Sequence, residues 1–311
     1  MLTIYPGKKI LPVKPCVATI GFFDGVHRGH RFLIERLKED AKAAGLESTV
    51  ITFERHPRQV LSSDYQPKLL TTFEEKRLLL SRTGVDNCAV LQFDRQMAQM
   101  TAREFMERVL TGLLNVKRLY IGYDHRFGHN REEGFEDYVR YGRELGIEVL
   151  QNTAFDLEGV NVSSSVIRSF LQEGEVEMAA RCLGYPYFVS GKVMPGVQEG
   201  RKLGFPTANI EVTAEKLIPA SGVYAVTARL EGSAALKPAM MNIGTRPTFG
   251  ENEQTLEVHI LDFEDNIYGK ELMVSFDHRL RGERKFRSAE DLADQLRKDA
   301  EEVRHIAAED K

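Results

Sequence analysis

The ten residues Gly21-Phe22-Phe23-Asp24-Gly25-Val26-His27-Arg28-Gly29-His30 constrain this chain more than any other stretch. The apolar run Val17–Ile20 leads into them, and a helical pattern marked by Leu33, Leu37 and Ala41 leaves them. A strand that ends in a glycine-rich turn and then opens a helix aims backbone N–H groups at one spot. The helix dipole adds positive potential there, so the spot suits a phosphate. Gly21, Gly25 and Gly29 let the backbone come close or take a positive φ. His27 and His30 are three apart and share a face once the helix has begun. Their ring N–H groups can meet phosphate oxygens as charge builds on them.

Alternating patterns extend this unit. Strands are expected at Val17–Ile20, Thr49–Phe53, Ala89–Phe93, Leu119–Gly122 and Glu148–Gln151, with amphipathic helices between them. Gly45 reads as a helix C-cap. Thr72-Phe73-Glu74-Glu75 and Thr101-Ala102-Arg103-Glu104 read as capping boxes, and Phe135–Leu145 as a helix closed by Gly146. Such alternation predicts a parallel sheet covered on both faces, with ligands at the carboxyl ends of the strands. Two short helices, Val166–Gln172 and Val176–Leu183, follow. From Phe188 to Leu280 the pattern changes to β-like runs separated by Gly, Pro and Asn. These runs predict a small antiparallel barrel or sandwich. Ser288 then caps a long charged helix with Leu292, Leu296 and Val303 along one stripe. The expected division is residues 1–184 and 185–311, at Gly184-Tyr185-Pro186.

A length of 311 residues suits two such domains. The net charge of −4 supplies no basic field for nucleic acid or an acidic membrane. Cys16, Cys88 and Cys182 are too scattered for a disulfide framework or a zinc pattern and suit reduced thiols in the cytoplasm. The opening MLTIYPGKKILPVKP has no cleavage signal, and no apolar run is long enough to span a membrane.

Further stretches carry chemistry. Thr52-Phe53-Glu54-Arg55-His56-Pro57 closes the second strand, and His56 is a candidate phosphate or base contact by its chemistry. In Gly122-Tyr123-Asp124-His125-Arg126-Phe127-Gly128, Asp124 can accept from a ribose or an adenine amine, and Phe127 can line a ring pocket. Ser163 and Ser164 in Val162-Ser163-Ser164-Ser165-Val166-Ile167-Arg168 open a helix, with Arg168 one turn in as a fixed charge for a triphosphate. The stretch Gly191 to Asn209, with four glycines and two prolines, is a rigid backbone-exposing loop but not a Walker A loop. Thr207 and Asn209 offer neutral oxygens of the kind that suit a Mg²⁺ keeping waters and phosphates. Alternation in Glu257-Val258-His259-Ile260 places Glu257 away from the apolar row Leu256, Val258 and Ile260. A carboxylate there can take the proton of an attacking hydroxyl.

The string GFFDGVHRGH resembles the signature of the HxGH nucleotidyltransferases, and more narrowly that of bacterial bifunctional riboflavin kinase/FAD synthetases. The stretches around His56, Asp124 and Arg168 are similar to that family's motifs, with His125 where phenylalanine is usual. Gly200–Asn209, Pro219–Ala225, Asn242–Phe249, Glu257–Phe263, Tyr268-Gly269-Lys270 and the Arg281–Phe286 segment resemble riboflavin kinase. The resemblance implies a Rossmann-like adenylyltransferase followed by a barrel-shaped kinase, acting on FMN and riboflavin with ATP and Mg²⁺ and yielding FMN and FAD.

On that resemblance, His27, His30 and Arg168 stabilise charge in adenylyl transfer. Gly21, Phe22, Asp24, Gly29, Ser163 and Ser164 bind the ATP phosphates, and His56, Pro57, Asp124 and Phe127 bind nucleotide or flavin. In the kinase, Glu257 is the base and Thr207 and Asn209 hold the metal. Gly196, Gly200, Gly204 and Pro206 bind ATP, and Asn242, Gly244, Arg246, Phe249 and Arg281 bind riboflavin. The competing readings are another HxGH adenylyltransferase, which leaves Gly200–Asn209 unexplained, and a non-catalytic flavin or nucleotide binder, which needs neither Glu257 nor the paired histidines. A class I tRNA synthetase would need a K-M-S-K-S loop that the sequence lacks.

Overall fold

Strand and helix alternate through the first half as the patterns require. The computed structural model describes residues 1–5, 13–61, 66–123, 125–195, 200, 203–248 and 251–309. The chain divides into two units, Met1–Ser164 and Ser165–Lys311.

The first unit contains β1 (Leu2–Ile4), β2 (Cys16–Ile20), α1 (Arg28–Ala44), β3 (Glu47–Phe53), α2 (Pro57–Leu61), α3 (Phe73–Ser81) and β4 (Asn87–Leu91). Then come α4 (Arg95–Ala98), α5 (Ala102–Phe105) running into a π-helical turn, β5 (Val116–Ile121), α6 (Phe135–Leu145), β6 (Glu148–Gln151) and a short hairpin of β7 (Asp156–Leu157) and β8 (Val160–Asn161). The six main strands are parallel, in the order β1-β4-β3-β2-β5-β6. Every residue of β2 and β4 is buried, as expected of strands covered on both faces. From β2 the chain builds outward through β3 and β4, then crosses to β5 and β6 on the other side. The switch in strand order therefore lies at the carboxyl ends of β2 and β5, where ligands bind in such sheets. Both expected capping boxes, at Thr72 and Thr101, are formed. Gly45 and Gly146 close α1 and α6 in the left-handed conformation. The edge strand β1 carries no sequence signal, because three residues are too few to show a period.

The second unit holds α7 (Ser164–Glu173) from its second residue onward, α8 (Val176–Leu183) and a closed antiparallel barrel. Its strands are β9 (Phe188–Met194), β10 (Ala208–Glu211), β11 (Gly222–Leu230), β12 (Lys237–Thr248), β13 (Glu251–Ile260) and β14 (Glu271–Arg281). They close in the order β10-β13-β12-β11-β14-β9. Leu256, Val258 and Ile260 point into the barrel, with Met241, Ile243, Tyr224 and Phe276. The stretch Gly191–Asn209 is not loop throughout: it begins in β9 and ends in β10. The helices before residue 184 are held by the barrel: Arg279 donates to the carbonyls of Glu173 (2.9 Å) and Ser221 (3.1 Å), and its N–H donates to Glu177. The C-terminal helix α9 (Ala289–Glu309) starts where Ser288 Oγ accepts the N–H of Asp291 at 3.1 Å.

Candidate active sites

The turn after β2 is held in an unusual backbone. Phe23 (φ 56°), Gly25 (φ 77°) and Val26 (φ 38°) all have positive φ. A β-branched residue there is a genuine outlier, and such strain persists where surrounding contacts over-determine it. Those contacts are visible. The buried Asp24 carboxylate accepts from the N–H groups of Leu70 and Thr71 (both 3.0 Å) and from Thr71 Oγ1 (3.1 Å), and the Gly25 N–H donates to Thr71 Oγ1 (3.1 Å). Ser164 Oγ donates to the Asp24 carbonyl at 3.0 Å. The carboxylate of Asp24 thus shapes the turn from within.

His27 caps α1, its Nδ1 accepting the N–H of His30 at 3.3 Å. The two imidazoles stack at 3.6 Å, and His30 meets the edge of Phe23 at 5.0 Å. A Cβ on Gly29 would lie 3.2 Å from the His27 ring and 3.3 Å from the Val162 carbonyl, so glycine there admits the stacked pair. Burial, followed by the charges of His27, Lys76 and His125, holds His30 well below the ordinary histidine range. His30 is therefore neutral at pH 7, and its Nδ1 is buried with no hydrogen-bond partner among the described residues.

Phe22 follows β2 and lies against the His56 ring at 4.7 Å. His56 precedes α2, with its Nδ1 accepting the Arg58 N–H, and Pro57 is the first residue of that helix. Beside them stands a residue that no motif marks. Lys76, in α3, is 2% exposed, donates to the carbonyls of Phe22 (3.1 Å) and Phe53 (2.8 Å), and sits 3.9 Å from the centre of the Phe22 ring. The available signal was its spacing: Phe73, Lys76 and Leu80 fall at i, i+3 and i+7, which puts a lysine on the inner stripe.

The loop after β5 brings His125 close enough to lower the proton affinity of His30. Phe127 is buried, stacked on Tyr138 at 4.3 Å and 5.5 Å from Phe105, and Tyr138 Oη bonds its backbone. Phe127 therefore braces the loop. Asp124 lies outside the described residues. Ser163 immediately precedes α7 and is half-buried, as is Arg168 in its second turn.

In the barrel, register assembles the kinase residues. Glu257 pairs with Asn209 on one side and with Asn242 on the other. The three are half-buried on the outer face, away from the Leu256–Val258–Ile260 row. A Cβ on Gly244 would lie 3.0 Å from Glu283 Oε1 and 3.3 Å from Asn242 Nδ2, so this glycine opens room among polar groups. Thr207 and Pro206 line a cleft of about 470 Å³ with Val193, Phe263 and Tyr268. The Gly200 carbonyl accepts the Phe205 N–H, and a Cβ on Gly200 would strike the Phe205 carbonyl at 2.3 Å. Gly204 has φ +81°, and the Pro206 carbonyl meets His259 Nδ1 at 2.8 Å. Gly196, Phe249 and the side chain of Arg246 lie outside the described residues. The Arg281 guanidinium forks onto Asp299 of α9 (2.8–3.2 Å), which is 2% exposed.

The family described as FAD synthetase matches residues 11–166, and that described as riboflavin kinase matches residues 183–307. The bifunctional riboflavin kinase/FMN adenylyltransferase of Escherichia coli K12 is 39% identical over 288 residues, spanning 93% of this chain and 91% of its own length. The chain belongs to the bifunctional riboflavin kinase/FMN adenylyltransferase family. A member from Haemophilus influenzae is also 39% identical, with 92% of each chain covered. A crystal structure described as a macrolide-efflux protein from Streptococcus pneumoniae has the same fold, with TM-score 0.88 and 32% identity over 98% of this chain and 99% of that one. No helix among the described residues here is long and apolar enough to cross a membrane. The chain is an enzyme of two modules, an N-terminal adenylyltransferase and a C-terminal kinase, in the family's order.

Proposed function

We propose that residues 185–311 phosphorylate riboflavin to FMN with ATP and that residues 1–184 adenylylate FMN to FAD with release of pyrophosphate. What supports this most is the row Asn209–Glu257–Asn242, which sets a carboxylate between neutral amides on three adjacent strands. Glu257 takes the proton of the riboflavin 5′-hydroxyl as its oxygen attacks the γ-phosphorus and ADP leaves. Asn242, Gly244, Arg246 and Phe249 are assigned to the flavin, while Arg281 secures α9 over the barrel. Gly196, Gly200, Gly204 and Pro206 are assigned to ATP.

Among the described residues no cluster of three His, Cys, Asp or Glu forms a metal cage. The neutral oxygens of Thr207 and Asn209, with the Glu257 carboxylate beside Asn209, fit instead a Mg²⁺ completed by water and ATP phosphates. That ion supplies charge neutralisation on the phosphates when bound.

In the first module an FMN phosphate oxygen attacks the α-phosphorus of ATP, and no side-chain nucleophile is required. Alignment and charge stabilisation do the work. With Nδ1 of His27 accepting the His30 N–H, Nε2 is the ring nitrogen that carries a proton to donate. Gly21, Phe22, Gly29, Ser163 and Ser164 supply the phosphate-binding turn, Arg168 a fixed charge, and His56, Pro57, Asp124 and Phe127 the nucleotide-side wall. The partners are small molecules, in the cytoplasm, with neither nucleic acid nor membrane.

Incubation with riboflavin, ATP and Mg²⁺, followed by separation of the flavins over time, tests the reading. FMN then FAD is expected. Flavin retained without consumption of ATP would replace it with a binding regulator.

A further inference from the structure

The first module contains a buried cation that neither reaction scheme uses. Lys76 is 2% exposed, yet among the described residues no carboxylate lies within ion-pair distance of it. Lysine is almost never fully buried without such a partner. Its ammonium instead binds two main-chain carbonyls. Phe22 O is the second residue past the end of β2, and Phe53 O closes the adjacent β3. Beyond these strand ends the chain runs on to His27 and His30 at the start of α1 and to His56 just before α2. The ring of Phe22 covers the charge at 3.9 Å, and the same ring is met by His56 at 4.7 Å. Thr52 Oγ1 donates to Phe22 O as well, at 3.1 Å, so this one carbonyl is fixed from two sides. Just ahead of Lys76, Leu70 and Thr71 grip Asp24 and Gly25. The segment from Leu70 to Lys76 thus holds the strained turn at both the Phe22 and Gly25 positions.

We infer that Lys76 is a positioning residue for adenylyl transfer. Its ammonium ties the ends of β2 and β3 together and sets Phe22 and His56 in place around the phosphate-binding turn. The inference rests on the assignment of adenylyl transfer to this module. An apolar side chain could fill the volume but could not bridge two carbonyls, so the lysine is kept for geometry at a cost in burial. The groups that face His30 electrostatically are His27, Lys76 and His125, all of one sign when protonated. Asp24 and Cys88 act on Lys76 in the opposite sense to burial, raising its proton affinity.

The test compares the wild type with Lys76→Met in the full-length chain. For FMN to FAD, kcat is expected to fall at least tenfold with the KM values for ATP and FMN within about threefold, because a misplaced site loses rate without losing contacts. The melting temperature of the first module is expected to hold or rise, and the NMR titration midpoint of His30 to move up. Wild-type kcat in the variant would overturn the inference. So would lost rate accompanied by a lowered melting temperature and an unmoved His30 midpoint, the marks of a merely structural residue. If Lys76→Met does not fold, Lys76→Gln is judged by the same readings. A wild type that makes no FAD from FMN would sink the functional reading itself, whereas a wild type and variant equally active would sink only the role of Lys76.

Discussion

His27 and His30 lie ring on ring at 3.6 Å and 19°, at the entrance to α1. Two imidazolium ions cannot share that spacing comfortably, and burial together with the neighbouring charge depresses the proton affinity of His30. The unfolded chain protonates this histidine near pH 6.5, while the folded chain resists until well below it. Between those limits the unfolded state binds more protons, so the contribution of His30 to stability is present above pH 6.5 and is lost as the pH falls. Thermal unfolding of the first module between pH 7 and 5 is expected to drop more steeply in the wild type than in His30→Asn. Equal slopes would show that His30 titrates normally.

His30→Ala is expected to cost adenylyl transfer about 2.7–4 kcal/mol of barrier, the range found for removing one donor to developing charge. That corresponds to roughly 10²–10³ in kcat. FMN formation by the barrel is expected to continue unchanged. A parallel assay of both products in one reaction checks this, and equal loss of FMN and FAD would contradict it.

Glu257→Gln keeps the shape of the Asn209–Glu257–Asn242 row and removes its only base. FMN production is expected to fall by roughly 10²–10⁴, the usual worth of a general base. Adenylylation of supplied FMN is expected to proceed at the wild-type rate. Normal phosphorylation of riboflavin by the variant would assign the proton to another acceptor.

The bidentate pair of Arg281 and Asp299 joins the end of β14 to the buried face of α9, and Gln295 Nε2 also donates to Asp299 at 2.6 Å. Asp299→Ala leaves a largely buried guanidinium without its counter-charge, which typically costs about 3–5 kcal/mol. Denaturant unfolding of the second module should show a midpoint lowered accordingly. An unchanged midpoint would mean that α9 is held by its apolar contacts, Ala300 and Val303, alone.

Much of this was legible in the sequence, and the limits are physical. Period and capping residues placed α6 and α8, and the His27/His30 turn followed from local order along one strand and one helix. The face of Glu257 followed from alternation alone. Pairings across the chain could not be read that way. Asp24 looks like a ligand-facing acid in its own string, but its partners, Leu70 and Thr71, are 46 and 47 residues away. Arg281 likewise gives no hint in its own string of its partner Asp299, which lies 18 residues on in α9. Lys76 was hidden because a lysine in Glu-Glu-Lys-Arg is normally a solvated face, and its acceptors, the carbonyls of Phe22 and Phe53, are 54 and 23 residues away.

Burial pushes Lys76 down to about 8 from the ordinary 10.5 of lysine, with Asp24 opposing the shift. Above 10.5 the side chain is neutral in both states and burial of a charge costs nothing. As the pH falls from 10.5 toward 8, the unfolded chain takes up a proton that the folded chain refuses, and stability is lost. Below 8 the native state carries the buried charge and the loss is complete, on the order of 3 kcal/mol. The difference in unfolding free energy between wild type and Lys76→Met should therefore shift in favour of the wild type as the pH rises from 8 to 10.5. Other lysines and tyrosines titrate in both proteins and cancel. A difference independent of pH would mean that the ammonium keeps its ordinary proton affinity, and that α3 leaves it open to water.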